Sequence, residues 1–298
     1  MKVLRVASRD SQLGVAWAHD LMQAIRSYDP LIVPELISIP PEQNAEAGCP
    51  YFAPMQRALE NGEVDLCVSG LEYLPIRLNP KLPIVAVSRR REVRDVLLRG
   101  VKLKEPNLTR PIAAQNSRRW VQLARLYPGW RVERVAQSVS AYSLLERLDD
   151  GEFGALVLSE LDANLMGQQH RIHLALSEHQ VITSPGQGMV SVQARLGEQV
   201  GFLAKYHNVD SWDMATAERS FADVFFDSPE TPFAVRASMR EGKLNVRGMI
   251  ADQKEKQYEN AVAGDRNDAV HLGTALAVRL QMDTMNPEQR KAARLGLK

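Results

Sequence analysis

Residues 3–13 read VLRVASRDSQL. The apolar start of this stretch predicts a short buried strand, and Ser11 suits the cap of a helix that begins at once. The apolar residues that recur at helical spacing after the cap are Leu13, Trp17, Leu21 and Ile25. A strand that passes directly into an amphipathic helix is the first half of a βαβ unit, so we expect a parallel sheet.

The same alternation of short apolar strands and amphipathic helices continues through the first two thirds of the chain. Strands are predicted at 31–39, 64–68, 111–115, 131–135, 155–158 and 190–196, and helices at 55–60, 117–127 and 140–148. Two similar α/β lobes with mixed, parallel-rich sheets follow from this pattern. From about residue 213 the pattern changes, with a helix, strands at 233–239 and 244–250, and a helix at 268–282. The last part is therefore a small α+β third domain.

Domain boundaries follow from where this alternation is interrupted. We expect one lobe to comprise residues 1–97 and 188–212, the second 98–187, and the third domain 213–298. Residues 183–188 read TSPGQG, whose proline and glycines suit a hinge where the chain crosses between lobes.

Composition excludes several classes of protein. Length of 298 residues rules out a single small module, and 45% hydrophobic with 24% charged residues rules out disorder. A net charge of +1 gives no bulk field for nucleic acid or an anionic membrane. No apolar run reaches the ~20 residues of a membrane span and no secretory signal is present, so we expect a cytoplasmic protein. Two cysteines, Cys49 and Cys67, exclude a disulfide scaffold.

Arginines at strand-to-helix junctions are the main candidates for a binding site. Arg118 and Arg119 open a predicted helix, where free backbone N–H groups and the helix dipole favour an anion. Arg9 lies at the matching junction of the first lobe, and such junctions face the ligand crevice in doubly wound sheets. Together they predict a carboxylate or phosphate site.

The sequence gives weaker evidence for other kinds of functional site. Asp65, Glu72 and Tyr73 lie at or after a strand end and are candidate acid/base groups without a placed partner. The HxxH pair His170 and His173 lacks a third ligand, so no metal site is expected. No Gly-rich phosphate loop or dinucleotide fingerprint is present.

A series of short segments resembles hydroxymethylbilane synthase, also called porphobilinogen deaminase, across almost the whole chain. In order they are VLRVASRDSQL (3–13), ALENGEVD (58–65), RD (94–95), SRR with QLA (117–119 and 122–124), LDDGEF (148–153), PGQG (185–188) and TAER (216–219). No single segment is specific, but their order and spacing together make the match strong. The resemblance implies two lobes like those of periplasmic binding proteins and a small α+β third domain.

The resemblance also implies an activity that this sequence does not fully support. The family builds a linear tetrapyrrole from four porphobilinogen units on a dipyrromethane primer held by a cysteine. Its catalytic aspartate position falls on Tyr73 and the preceding lysine on Glu72, and a tyrosine with a reference pKa near 10 cannot replace that carboxylate. The cofactor cysteine position falls on Pro229, which has no thiol. Two further substrate arginines fall on Ser138 and Leu144.

Half of the family's anion site is retained. The predicted ligand-binding residues are Arg9, Ser11, Asn116, Arg118, Arg119, Ser138 and Gln187. We therefore expect a divergent member that does not make hydroxymethylbilane, carries no dipyrromethane and no metal, and binds a small carboxylated ligand, pyrrole-like or otherwise, between its lobes. A protein partner is left open.

Three alternatives stay open at this point. The first is a repurposed enzyme that uses Glu72, Tyr73 or Asp65 in the same cleft. The second is a pyrrole-condensing transferase whose cofactor has moved to Cys49 or Cys67. The third is a scaffold protein, since a two-lobe fold hosts many functions.

Overall fold

The computed structural model describes residues 2–42, 52–136, 139–228 and 230–285. Its strands are β1 (Lys2–Arg9), β2 (Ile32–Ile39), β3 (Leu66–Gly70), β4 (Ile84–Val87), β5 (Asp95–Leu98), β6 (Ile112–Ala114), β7 (Val132–Arg134), β8 (Ala155–Ser159), β9 (Ile172–Ala175), β10 (Val190–Gln193), β11 (Phe233–Arg240), β12 (Lys243–Ala251) and β13 (Gln257–Gly264). Its helices are α1 (Gln12–Tyr28), α2 (Phe52–Glu60), α3 (Ser117–Leu126), α4 (Ala141–Asp149), α5 (Glu160–Leu165), α6 (Val209–Asp223) and α7 (Ala269–Thr284).

The first lobe is built on a five-stranded sheet in the order β2-β1-β3-β10-β4. Strands β2, β1 and β3 are parallel, whereas β10 runs antiparallel to both β3 and β4. Ser11 caps α1 as expected, because its side chain accepts a bond from the amide of Gly14. The helix packs its buried stripe, which includes Trp17, Leu21 and Ile25, on this sheet.

The second lobe repeats this plan with the order β7-β6-β8-β5-β9. Strands β7, β6 and β8 are parallel, and β5 runs antiparallel to β8 and β9. The predicted α/β fold class is confirmed: both lobes have mixed, parallel-rich sheets. Each sheet takes in one antiparallel strand from a distant part of the chain, which places β10 in the first lobe and β5 in the second.

Two crossings join the lobes, at residues 88–94 and at 176–189, and they lie side by side. The amide of Arg91 donates to the carbonyl of Gly188 at 2.8 Å. Gly188 has a φ of +78°, and a Cβ there would lie 2.8 Å from the carbonyl oxygen of Glu92. A glycine is therefore required where the two crossings touch. Because β5 begins at Asp95, the chain enters the second sheet before residue 97.

Residues 182–186 and 213–285 form a second compact unit. Its sheet is antiparallel, in the order β11-β12-β13, and α7 packs on it with Leu276, Ala277 and Leu280. Glu218 of α6 is fully buried and accepts the amides of Gly186 and Ala237 at 2.7 and 2.6 Å. This unit is the expected small α+β part, with a third strand, β13, that the sequence pattern did not predict.

No helix in the described ranges is both long and apolar enough to cross a bilayer.

Candidate functional site

Arg9 ends strand β1 and is held by aromatic rings. Its guanidinium carbon lies 4.5 Å from the ring centre of Trp17 and 4.9 Å from that of Tyr73, both within cation–π range. Helix α1 comes close enough to fix this arrangement only because residue 14 is glycine: a Cβ there would lie 2.3 Å from the carbonyl oxygen of Arg9. Arg9 is half-buried, and its side chain forms no ion pair with any residue that the structure describes.

The turn after β3 supplies Glu72 and Tyr73, on a single 3-10 turn at Leu71–Tyr73. A Cβ on Gly70 would lie 2.8 Å from Trp17 and 2.9 Å from Tyr73, so glycine makes room for both rings. The Tyr73 hydroxyl donates a hydrogen bond to the carboxylate of Asp162, which belongs to α5 in the second lobe. This bond joins the two lobes directly.

Arg118 and Arg119 of α3 share a buried counter-ion. Asp95 of β5 accepts a bond from Arg118 at 2.7 Å and from Arg119 at 2.9 Å, and the Gln187 amide donates to it at 2.9 Å. Asp95 is 1% exposed and both arginines are 4% exposed. Asn116 caps the helix by accepting the Arg119 amide at 2.8 Å. The arginine pair is thus locked in place by a carboxylate that local sequence patterns did not reveal.

These groups form one site, which we call the interlobe cluster: Arg9, Glu72, Tyr73, Asp95, Arg118, Arg119 and Asp162. Its floor is buried, with Asp162 3% exposed, while Tyr73 is 37% exposed. The accessible side of the cluster is therefore the Arg9 and Tyr73 side.

The environment in the cluster shifts the pKa values of its carboxyl groups in opposite directions. Burial raises the pKa of Glu72 to about 8, assisted by Asp162 and opposed by Arg119. Burial also raises the pKa of Asp162, although the bond from Tyr73 and the charge of Arg9 lower it. Asp95 behaves oppositely, since the two arginines outweigh its burial and bring its pKa down to about 2. Burial of the hydroxyl and the charge of Asp162 keep the pKa of Tyr73 well above 10.

The structure separates Asp65 from the other acid/base candidates. Asp65 precedes β3 whereas Glu72 follows it, so they lie at opposite ends of this strand. The two ends of a five-residue strand are about 16 Å apart. Asp65 is paired with Arg5 at 2.8 Å, which lowers its pKa against the effect of burial. A cavity of about 250 Å³ lies beside it, lined also by Glu198 and Phe202.

Ser11 can be placed in the structure, whereas three other positions named from the sequence cannot. Ser11 acts as the α1 cap, 3.1 Å from the Gly14 amide, and lies two residues beyond Arg9. Ser138 and Pro229 lie outside the described residues, as does Cys49.

Cys67 does not fit the role of a cofactor anchor. It lies inside β3 with 1% of its surface exposed, and its thiol lies 3.4 Å from the Met55 carbonyl. Burial raises its pKa to about 12, so the thiolate needed for a thioether link is not available near neutral pH.

Metal ligands do not gather in the part of the chain that the structure describes: no group there combines three or more His, Cys, Asp or Glu side chains in a metal-binding arrangement. His170 lies in a 3-10 turn and His173 in β9, so the pair does not share a helix face.

The fold and the cluster define a class of protein with two α/β lobes and an arginine-rich site where the lobes meet. The family model "Porphobilinogen deaminase, dipyromethane cofactor binding domain" matches residues 4–200. Porphobilinogen deaminase of Acetivibrio thermocellus is 32% identical over 93% of this chain and 97% of its own length. That of Alkaliphilus oremlandii is 31% identical over 93% and 96%. The chain belongs to the porphobilinogen deaminase family.

Among solved structures, the effector domain of the transcriptional regulator AmpR of Pseudomonas aeruginosa is similar over 69% of this chain and 92% of that chain. The TM-score is 0.41 and the sequence identity 11%.

Proposed function

We propose that this chain is a member of the porphobilinogen deaminase family that does not polymerise porphobilinogen and instead binds a small carboxylate-bearing ligand at the interlobe cluster. The observation that carries the proposal is the state of Arg9. It is a half-buried cation on the accessible side of the cluster, and its side chain makes no ion pair within the described residues.

The geometry of Arg9 favours a carboxylate. Trp17 and Tyr73 contact its guanidinium, and its Nε atom is buried without a hydrogen-bond partner among the described residues. A guanidinium held by rings presents its N–H edge, which matches the two oxygens of a carboxylate. Arg118 and Arg119 add positive potential from the floor of the cluster, partly offset by Asp95.

Loss of the family's polymerisation is supported by the residues at three positions. By the resemblance, Tyr73 falls on the catalytic aspartate position, and its pKa lies well above 10, so it is no proton acceptor at neutral pH. By the same resemblance, the cysteine position falls on Pro229. Cys67, the remaining thiol within the described residues, is buried and protonated. We therefore propose that no dipyrromethane is attached.

The first experiment is binding by calorimetry with a pyrrole propionate as probe. Arg9→Gln should reduce affinity at least tenfold, because it removes a charge-assisted bidentate contact. Arg94→Gln is the matched control, since the exposed Arg94 side chain pairs with Glu160 and with no group of the cluster. Equal affinity in the wild type and in Arg9→Gln would overturn the proposal that Arg9 binds the ligand. If Arg118→Ala alone lost affinity, the binding site would instead lie at the floor of the cluster.

Denaturing intact mass tests the absence of the cofactor. We expect the mass of the bare chain. An adduct of about two pyrrole units, or formation of hydroxymethylbilane from porphobilinogen, would instead establish a transferase with a relocated primer.

A repurposed enzyme is the second candidate, and Glu72 favours it. A carboxyl group with a pKa of about 8 is suited to proton transfer near neutral pH. Glu72→Gln separates the two: a binder keeps its affinity for a monocarboxylate, whereas an enzyme that uses this carboxyl loses roughly 10²–10⁴-fold in turnover.

A further inference from the structure

The cations of the interlobe cluster are already matched in part by the protein itself. Three guanidinium groups, of Arg9, Arg118 and Arg119, contribute three positive charges. Asp95 accepts bonds from both arginines of α3 and is ionised, since its pKa is about 2. One positive charge is thereby neutralised on the buried floor, and a ligand does not have access to this carboxylate at 1% exposure.

The second lobe contributes a further negative charge close to Arg9. Asp162 is 3% exposed, accepts the Tyr73 hydroxyl and interacts electrostatically with Arg9 and Arg119. Tyr73 thus contacts both this carboxylate and the cation that the proposed ligand needs. Its place in α5 is fixed, because the Ser159 hydroxyl accepts its amide at 3.2 Å.

Glu72 and Asp162 together carry one negative charge rather than two. The two carboxyl groups act on each other, Asp162 buried and Glu72 half-buried, and they share one proton because both cannot ionise without strong repulsion. The Tyr73 hydroxyl donates to Asp162, which favours the ionised form there and leaves the proton on Glu72. The charged groups that act on Glu72 are Asp95, Arg118, Arg119 and Asp162, and Tyr73 adjoins it in the chain.

Resting on the proposed function, we infer that the interlobe cluster takes a ligand with a single carboxylate group and discriminates against dicarboxylates, and that Asp162 sets this limit. Three cations facing two internal carboxylates leave one positive charge to be balanced. A ligand with one carboxylate completes the balance, whereas a second carboxylate near Asp162 meets like charge in a poorly solvated site. Asp162 is a specificity-determining residue in this account.

The test compares two probes that share a ring and differ in charge: pyrrole-3-propionate, with one carboxylate, and pyrrole-3,4-dipropionate, with two. Calorimetry on the full chain should show at least tenfold tighter binding of the monocarboxylate. The double variant Glu72→Gln with Asp162→Asn removes the shared negative charge without leaving Glu72 to compensate. Its affinity for the dicarboxylate should rise by roughly tenfold or more, the order expected for one unit of charge at short range.

Glu160→Gln is the matched control, because it removes a carboxylate two residues from Asp162 that pairs outward with Arg94. It should leave the ratio of the two affinities unchanged. If the double variant does not fold, the wild-type protein at pH 6 and pH 9 gives a second measurement. Ionisation of Glu72 at the higher pH should weaken binding of the monocarboxylate at least several-fold.

The outcomes separate the two proposals. Arg9-dependent binding with the dicarboxylate preferred, or a ratio unchanged in the double variant, overturns the single-carboxylate inference and leaves the binding site intact. Binding of neither probe, or binding unaffected by Arg9→Gln, overturns the proposed function and the inference with it.

Discussion

Asp95 is the residue on which the position of Arg118 and Arg119 depends. Asp95→Asn would leave two buried guanidinium groups with an uncompensated charge, since both bond to this carboxylate. Breaking a buried ion pair from one side costs about 3–5 kcal/mol, so we expect a loss of that order in the free energy of unfolding in urea. Glu133→Gln, which breaks the exposed pair with Arg131, should cost less than about 1 kcal/mol. A loss for Asp95→Asn as small as that for Glu133→Gln would contradict this account.

Glu72 makes stability depend on pH in a defined window. Its pKa rises from 4.5 to about 8 on folding, so between these values the folded protein keeps a proton that the unfolded chain has lost. Stability therefore falls as pH rises from about 4.5 to 8 and levels off above. Glu72→Gln should make this decline shallower in thermal melts taken across the window, while Glu146→Gln, on an exposed position of α4, should not. An unchanged slope in Glu72→Gln would show that Glu72 is ionised in the folded protein.

Sequence patterns singled out the three arginines and Glu72 of the interlobe cluster, but neither Asp95 nor Asp162. Arg9, Arg118 and Arg119 stand at strand-to-helix junctions, which is a local feature. Asp162 meets Tyr73 across 89 positions, and its partnership depends on how the two lobes meet. Asp95 was present in the RD segment at 94–95, yet its role as counter-ion depends on β5 entering the second sheet.

Helix α1 and strand β1 approach each other at one glycine. Gly14→Ala places a Cβ 2.3 Å from the Arg9 carbonyl oxygen, and backbone cannot yield as a side chain can. We expect a loss of at least about 2 kcal/mol in unfolding free energy and weaker ligand binding, because Arg9 moves with β1. Gly129→Ala is the control, since nothing lies within 4 Å of a Cβ there. Equal stability of the two variants would mean that α1 shifts at no cost.

The helices and strands that the sequence predicted well show a strong hydrophobic periodicity. The elements that it missed do not. The helices α1, α3 and α4 begin within a residue or two of their predicted starts because Ser11, Asn116 and Ser140 cap them. Strands β4, β5 and β9 have four residues each, too few to show a period. Strand β13 was missed for another reason: its sequence, QYENAVAG, is polar, and its partnership with β12 rather than its composition makes it a strand.

Two tyrosine hydroxyls form hydrogen bonds between the first lobe and the second. Tyr73 donates to Asp162, and Tyr142 of α4 donates to Gln12 at the start of α1. Replacing both tyrosines by Phe should speed hydrogen exchange of the Arg91 amide in the crossings and increase the radius of gyration in small-angle scattering. Tyr28→Phe, at an exposed position, should do neither. Unchanged exchange in the double variant would mean that other contacts hold the lobes together.

The position of β10 in the first sheet constrains the order in which the molecule is assembled. This strand lies between β3 and β4, yet it follows the entire second lobe in the chain. Once residues 1–181 have emerged from the ribosome, all strands of the second sheet are present. The first sheet still has two unpaired strand edges where β10 belongs. The lobe encoded first is therefore finished second, and its β3 edge is exposed to self-association during synthesis.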